Sequence, residues 1–167
     1  MMWSIGVIVA LGACIVAPCR AQSWQADGHA NYSRTTQSHQ NSWGGGASLQ
    51  ATWGAQQQPV QLGTSAGVDY EEQENGGPKQ FNVSYEMTVQ PGGNLTLTPY
   101  VGGSVSANWL SGDGAPSGAK LGLQYIVGAQ LKPERQGPLA IKLELRPGYV
   151  QTQEHTVSGR LGVAFSM

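Results

Sequence analysis

One short segment of the sequence carries the pattern of a catalytic serine. Residues 63–67 read Gly-Thr-Ser-Ala-Gly and match G-x-S-x-G, in which Ser65 would attack an ester or amide carbonyl. That chemistry needs the serine on a sharp strand-to-helix turn that exposes its hydroxyl. Here apolar and polar residues alternate through the motif, and no helical period follows it. The segment is therefore interpreted as part of a strand, and Ser65 is not assigned as a catalytic residue.

A second combination of catalytic residue types lies near the C-terminus. Glu154, His155 and Ser158 supply an acid, a base and a hydroxyl close together in the chain. Ser158, however, falls on the opposite face of the local alternation from His155, and the spacing matches no hydrolase motif. No catalytic residue is predicted there.

Five charged side chains fall on the polar face of segments in which apolar and polar residues alternate. They are Glu86, Lys142, Glu144, Arg146 and Arg160. If that face is enclosed, an unpaired charge is costly, so we expect Glu86 and Glu144 to pair with the cations. The predicted role is an ion-pair network that fills the interior, in preference to a conducting path. Asp27 and His29 share this face, and His29 is interpreted as a hydrogen-bonded residue and not as a catalyst.

The most acidic stretch, 71–77, could bind a divalent cation, but a solvated loop is the favoured interpretation. The sequence has no metal-ligand cluster, phosphate-binding loop or basic patch elsewhere, so neither a metal nor a cofactor is predicted. The formal net charge of −1 gives no indication of nucleic-acid binding.

Period-two alternation is the dominant pattern from Trp24 onward, and no segment shows a competing helical period. It is clearest over 43–55, where Trp43, Leu49 and Trp53 alternate with glycines and polar residues. Eight strands are predicted, at about 24–34, 43–55, 60–70, 81–90, 95–109, 119–131, 139–150 and 157–167. Their spacing and the turn residues between them predict an antiparallel up-and-down meander.

The connections between these strands fall into two predicted classes. Tight turns are expected at 56–59, 91–94 and 132–138, and longer polar connections at 35–42, 71–80 and 110–118, with 151–156 intermediate. Alternate connections of a meander lie at opposite ends, so the longer ones would share one end. Short turns at one end and longer loops at the other are typical of outer-membrane barrels.

The polar face indicates which way such a sheet would close. A soluble ligand-binding barrel turns its apolar face inward, whereas a membrane barrel turns it outward. Only 11% of the residues are charged, against about 25–35% on a solvated surface. The polar face is mostly Gly, Ser, Thr, Gln and Asn, which suit the narrow interior of an eight-stranded barrel. We therefore expect an all-β fold, a closed transmembrane barrel with its apolar side chains outward.

Aromatic side chains on the apolar face cluster near the strand ends, as in the interfacial girdles of membrane barrels. They are Trp24, Trp43, Trp53, Tyr70, Phe81, Trp109, Tyr149 and Phe165. Strands of about 10 residues, when tilted, cover an apolar thickness of roughly 25 Å.

The N-terminus is predicted to be a signal peptide over residues 1–21, with the barrel domain over 22–167. An apolar run from Trp3 is followed by small residues that end at Ala21. A lipoprotein cleavage box ending at Cys14 is the alternative interpretation of this leader. Cleavage after Ala21 would remove both Cys14 and Cys19, which leaves no disulfide or thiolate metal site.

The last residues, 160–167, end the chain inside an alternating strand. This segment resembles the C-terminal recognition strand of outer-membrane proteins through Gly162 and Phe165, although Met167 stands where a terminal Phe is usual. In length and layout the whole mature chain resembles the small barrels of the OmpA transmembrane-domain and OmpX type. The resemblance implies a bacterial outer-membrane location and, as partners, membrane lipids, lipopolysaccharide and the barrel-assembly machinery.

The leading hypothesis from the sequence is a non-enzymatic outer-membrane barrel that acts in envelope integrity, or in surface interaction through its external loops. Three alternatives stay open at this point. They are a narrow channel for small solutes, an outer-membrane lipid-modifying enzyme and a soluble secreted ligand-binding barrel.

Overall fold

Eight strands form where apolar and polar residues alternate, because each strand can then turn one face to lipid and the other to the interior. They are β1 (Ser23–Thr35), β2 (Asn41–Trp53), β3 (Val60–Gln73), β4 (Lys79–Pro91), β5 (Leu97–Ser111), β6 (Ala119–Leu131), β7 (Leu139–Val150) and β8 (His155–Ser166). The computed structural model describes residues 23–36, 39–54, 58–74, 77–93, 95–112, 118–134, 137–151 and 155–167. The predicted signal peptide, with both cysteines, lies outside the described residues.

The sheet closes on itself. Each strand pairs antiparallel with the next, and β1 also pairs with β8, so the strand order around the barrel follows the chain. The backbone N–H of Met167 donates to the carbonyl of Trp24 at 2.9 Å, which continues the closing seam to the last residue. The predicted closed, eight-stranded, antiparallel barrel is confirmed. No helix among the described residues is long and apolar enough to cross a membrane.

Apolar side chains point outward and polar side chains point inward. On β7, Leu143 is 62% exposed, whereas its neighbour Glu144 is 8% exposed. The same alternation holds on β6, where Leu123 and Leu121 are exposed. A soluble barrel with an apolar interior requires the opposite orientation, so that alternative is wrong. A bilayer interior offers no hydrogen-bond partners, so a membrane-spanning sheet must pair all its edges and expose apolar side chains, as this barrel does.

The prediction of longer connections at one end of the barrel is wrong. The connections at that end cover 36–40, 74–78, 112–118 and 151–154, and those at the other end cover 54–59, 92–96 and 132–138, so the two sets are similar in length. The strands continue into segments expected to be loops, as where Glu72 on β3 pairs with Lys79 on β4. A backbone ladder does not need apolar side chains, so polar residues can extend a strand beyond the apolar belt.

The ladder between β6 and β7 is interrupted at one place. The pairing runs from Gly122 to Gln124 and resumes at Val127, although Tyr125 and Ile126 lie opposite Pro147 and Arg146. Proline has no backbone N–H to donate, which explains the interruption. Pro147 still lies opposite Val157 on its other side, in the β7–β8 ladder. The β6–β7 seam is therefore locally weaker than its neighbours.

Candidate functional site

Arg146 on β7 forms the centre of a charged layer that crosses the barrel. Its Nη1 and Nη2 donate to the two carboxylate oxygens of Glu86 at 2.6 and 3.0 Å, and its Nε donates to Glu144 at 2.6 Å. Glu86 lies on β4, three strands away from β7 in the closed order, so the contact crosses the lumen. Arg146 is 2% exposed, so a guanidinium with five donors is held almost entirely by protein groups. Ser65 donates to Glu86 at 3.0 Å and adds a neutral hydrogen bond.

Arg160 on β8 extends this layer to β3 and β1. Its Nη2 donates to both carboxylate oxygens of Asp69, at 3.1 and 3.0 Å, and its Nε donates to Asn31 at 3.1 Å. Its Nη1 also donates to Glu86 at 3.3 Å, which links the two arginines through one carboxylate. β4 and β8 lie opposite each other in the closed strand order. These contacts therefore span the full width of the interior.

His29 on β1 lies between two carboxylates. Its Nδ1 is 2.8 Å from Asp27 and its Nε2 is 2.6 Å from Asp69, both buried groups. Only an imidazole protonated on both nitrogens can donate to both partners. Asp27 also accepts a hydrogen bond from Lys142 at 2.8 Å, and Lys142 donates to the Gln50 carboxamide oxygen at 2.7 Å. His29 thus connects the two arginines to the Lys142–Asp27 pair, which is the part of the layer nearer the chain termini.

Tyr100 on β5 completes the layer with a neutral donor. Its hydroxyl donates to Glu144 at 2.7 Å. The ring lies against Gly128 of β6, where an added Cβ would come within 2.6 Å of the ring carbon that carries the hydroxyl. Glycine at this position lets the ring approach the sheet closely enough to reach Glu144.

The charges of this layer balance when His29 is protonated on both nitrogens. Four carboxylates (Asp27, Asp69, Glu86 and Glu144) face three permanent cations (Lys142, Arg146 and Arg160), and a doubly protonated His29 supplies the fourth positive charge. Each member has a charged partner, as buried ionic groups require. The side chains of the layer can bridge strands and fill the lumen. Their polar atoms form hydrogen bonds and ion pairs with one another.

The five charges that the sequence placed on the inner face all lie in this layer: Glu86, Lys142, Glu144, Arg146 and Arg160. Lys142 pairs with Asp27 and not with a glutamate. Asp69, Asn31 and Tyr100 also belong to the layer but were not among the predicted residues. All three occupy positions of their strands that alternate onto the inner face, and this position is the feature from which they could have been predicted.

The sequence combinations that suggested catalysis do not come together. Ser65 lies inside strand β3, 8% exposed, with its hydroxyl committed to Glu86. Ser158 faces the interior and donates to the Arg146 carbonyl at 3.2 Å, whereas His155 is exposed and packs on Tyr149 with ring centroids 5.6 Å apart. Glu154 lies outside the described residues. The described residues also contain no cluster of acidic, His or Cys side chains that could hold a metal ion.

The aromatic residues expected in girdles lie on the outer face near the strand ends. Six of the eight are exposed: Trp24, Trp43, Tyr70, Phe81, Tyr149 and Phe165, whereas Trp53 and Trp109 are half-buried. The half-buried rings have neighbours that cover them. Trp53 donates its indole N–H to Thr64 at 2.9 Å, and Trp109 packs on Phe81 with centroids 5.9 Å apart. Two further aromatic residues, Tyr85 and Tyr125, lie on the outer wall between the girdles.

The end of the barrel away from the termini carries a small polar surface. Glu74, just after β3, accepts hydrogen bonds from Trp43 Nε1 at 2.8 Å and from Asn41 Nδ2 at 3.0 Å. These two donors lower the pKa of the Glu74 carboxyl, the Asn41 contact being the larger cause. Part of the predicted acidic loop is strand, since Glu71 belongs to β3 and accepts a hydrogen bond from Ser33 at 2.8 Å. The prediction that 71–77 is a solvated loop is therefore wrong for its first residues.

Comparison with known proteins identifies the fold. No family model and no curated protein sequence matches the chain. Among solved structures it is similar to Ail, the attachment invasion locus protein of Yersinia pestis, with a TM-score of 0.59, 14% identity, and coverage of 87% of this chain and 97% of that one. It is also similar to the outer membrane enzyme PagL, with a TM-score of 0.57, 13% identity and coverage of 83% and 98%.

A third similar structure is Neisserial surface protein A, with a TM-score of 0.54, 16% identity and coverage of 86% and 96%. These structures include an attachment protein, an enzyme and a surface protein, so the shared fold does not distinguish among functions. The shared fold agrees with the closed, eight-stranded barrel. The chain has the fold of the small eight-stranded barrels of bacterial outer membranes, the class that its sequence resembles.

Proposed function

We propose that this protein is a non-enzymatic, non-conducting outer-membrane barrel that contributes to the integrity of the envelope. The observation that carries the proposal is the charged layer across the lumen, in which Arg146 and Arg160 bridge opposite walls through Glu86. An eight-stranded barrel is only wide enough for side chains to fill it. With these groups in place, an ion would have to displace paired buried charges in order to pass.

Single-channel recording in planar bilayers tests the non-conducting part of this proposal. The wild-type protein is expected to give no conductance steps above those of a protein-free bilayer. The double variant Glu86→Ala/Arg146→Ala removes one charge of each sign from the bridge and is the control that shows whether a path would be detected. Conductance steps from the correctly folded wild type would overturn the proposal and favour the channel.

The exterior supports a role that depends on lipid contact. Apolar side chains cover the wall between the two aromatic groups, and Phe165 and Met167 stand exposed at the end of β8, two residues apart on the outer face. We expect outer-membrane lipids and lipopolysaccharide to cover this wall. Gly162, Phe165 and Met167 would be read by the barrel-assembly machinery.

A surface role would have to use short connections. At the end away from the termini, a shallow depression of about 430 Å³ is lined by residues that include His39, Asn41 and Glu74. The four connections at this end are four to seven residues long and leave little chain for contact with a partner, which favours envelope integrity over adhesion. Deleting the gene in the native host should increase uptake of a hydrophobic dye. Restoration by the wild type and by an Asn41→Ala/Glu74→Ala variant would separate integrity from surface contact, and unchanged dye uptake in the deletion strain would contradict the proposal.

The absence of a catalytic role is supported by the separation of His155 from Ser158 and by the buried position of Ser65. Mass spectrometry of membrane lipids tests this part. The lipid profile should be the same with the wild type, with Ser65→Ala and with His155→Ala. A lipid product that is made by the wild type and lost in either variant would favour the enzyme.

A further inference from the structure

A polar cavity opens at the end of the barrel that carries the chain termini. Its volume is about 360 Å³. Five glutamines and a threonine dominate its wall, and we refer to them as the glutamine cup: Gln25, Gln50, Gln61, Gln90, Gln130 and Thr98. They come from six neighbouring strands, β1 to β6, so the cup is built by the barrel wall and not by a connecting segment.

The cup is closed at its inner side. Gln50, which lines it, accepts a hydrogen bond from Lys142 at 2.7 Å, and Lys142 is paired with Asp27 at 2.8 Å. This pair belongs to the charged layer, and His29 and the two arginines lie beyond it. The Lys142–Asp27 pair therefore separates the cup from the rest of the interior.

The carboxamides of the cup have unused hydrogen-bonding capacity. Gln25 donates to Ser166 at 3.4 Å, Gln61 to the Gly54 carbonyl at 3.4 Å, and Gln90 to Gln61 at 3.3 Å, all long for such contacts. Gln130 is 6% exposed, and no other described residue forms a hydrogen bond with its side chain. A carboxamide has two donors and an acceptor with two lone pairs. Several donors and acceptors in a nearly buried site are thus directed at the cavity.

The charge of the cup restricts the ligand. Among the described residues that line it there is no carboxylate, and Lys132 is the one formal charge. A free ammonium group would find no counter-ion there, and an apolar side chain would lie against carboxamides that need polar partners. A neutral ligand that carries both hydroxyl and amide groups satisfies donors and acceptors together. The volume lies at the lower end of the range of small-molecule sites, roughly 300–1,000 Å³.

We propose that the glutamine cup is a binding site for a neutral N-acetylated saccharide of one or two rings. The acetamido group pairs with a glutamine carboxamide, donor to acceptor and acceptor to donor, and the ring hydroxyls take the remaining carboxamide and threonine groups. This inference goes beyond the proposed function and does not depend on it, because a structural barrel and a channel could each carry such a site.

The test is a titration of the full mature protein, isotope-labelled on glutamine side chains, in a zwitterionic detergent that has no sugar headgroup. N,N′-diacetylchitobiose is added, and the carboxamide NMR signals are followed. We expect saturable shifts of Gln130 and Gln25 in the millimolar range. Gln130→Leu should weaken binding by about tenfold or more, the effect of losing one or two ligand hydrogen bonds.

Gln80→Leu is the matched control. Gln80 also faces the interior, but it lies on β4 toward the opposite end of the barrel, where it donates to Asn108 at 2.9 Å. This variant should bind the disaccharide as the wild type does. Gln25→Leu, a second cup variant on a different strand, provides an independent test in case Gln130→Leu does not fold. Heat-modifiability on a gel shows whether each variant forms a folded barrel. The proposal is overturned if no saturable shift occurs, if both cup variants bind normally, or if N-acetyl-alaninamide binds as tightly as the disaccharide.

Discussion

Replacing Arg146 by methionine should destabilise the barrel far more than the loss of one side chain from its surface. The methionine retains much of the volume of the arginine stem but removes three hydrogen bonds to Glu86 and Glu144. Glu86 keeps Arg160 at 3.3 Å, but the nearest remaining cation to Glu144 is Arg160 at 3.9 Å. Breaking a buried ion pair from one side costs about 3–5 kcal/mol, because the partner charge stays buried. We therefore expect the free energy of unfolding to fall by about that amount, which is two orders of magnitude or more in the folding equilibrium.

The measurement is equilibrium unfolding by urea in lipid vesicles, followed by tryptophan emission. Lys79→Met is the matched control, because Lys79 pairs with Glu72 at 3.7 Å and both side chains are about half-exposed, 52% and 50%. An exposed pair of this kind contributes at most about 1 kcal/mol. The double variant Arg146→Met/Glu144→Gln removes one charge of each sign and should be more stable than Arg146→Met alone by about 1–3 kcal/mol. If Arg146→Met costs no more than Lys79→Met, or if the double variant is less stable than the single one, the reasoning fails.

Three further predictions concern other parts of the barrel. Gly128→Ala should lower the free energy of unfolding by about 1–3 kcal/mol, because the added methyl group overlaps the Tyr100 ring. Trp43 fluorescence should change in acid, at a pH below the ordinary glutamate range. The contact with Glu74 is present while the carboxylate is charged and is lost as the pH falls through its lowered pKa. On β6, odd-numbered residues face β7, as Leu121 does when its carbonyl accepts from the Gln151 N–H, so Tyr125 lies at the interruption beside Pro147. The Tyr125 amide should therefore exchange hydrogen faster than the Leu123 amide.

Each of these predictions has a control within the chain. At Gly28 an added Cβ meets no atom within 4 Å, so Gly28→Ala should leave stability unchanged, and an equal loss at both glycines would contradict the steric argument. Glu74→Gln should abolish the acid transition of the tryptophan, and a transition that persists belongs to another group. For hydrogen exchange, Tyr125 is compared with Leu123, and equal protection of the two amides would show that the seam is intact. Ile126 faces β5 and should stay protected.

The alternation of residue types was sufficient to predict the barrel. A period of two fixes which residues share a face, and the scarcity of charge on the polar face decided that this face turns inward. The predicted bounds of β6 and β7 agree with the structure, and those of the other strands differ by a few residues at their ends. The largest differences occur where polar residues such as Glu71 and Gln73 continue a strand. Their side chains do not continue the alternation of apolar and polar residues, and the backbone hydrogen bonds that hold them in the strand cannot be predicted from residue type.

The partners within the charged layer could not be predicted in the same way. Parity shows that Arg160 and Asp69 both face the interior, but whether they meet depends on the stagger between β3 and β8 across the barrel. That stagger is a property of the closed sheet. For the same reason Lys142 was one of three cations considered as partners of the glutamates, and it pairs instead with Asp27 at a level nearer the termini.

The distribution of the charged layer over the strands has a consequence for how the protein is made. Its hydrogen bonds join residues from every strand except β6, and most of them connect strands that are distant in the chain, as Arg160 on β8 is from Asp69 on β3. In a sheet with only some of its strands inserted, charged side chains would lack the partners that later strands supply, and they would face the membrane interior unpaired. We therefore expect partly inserted states to be unfavourable relative to the closed barrel. The apolar exterior is compatible with the bilayer at any stage, but the ionic interior is fully paired only after the last strand is in place.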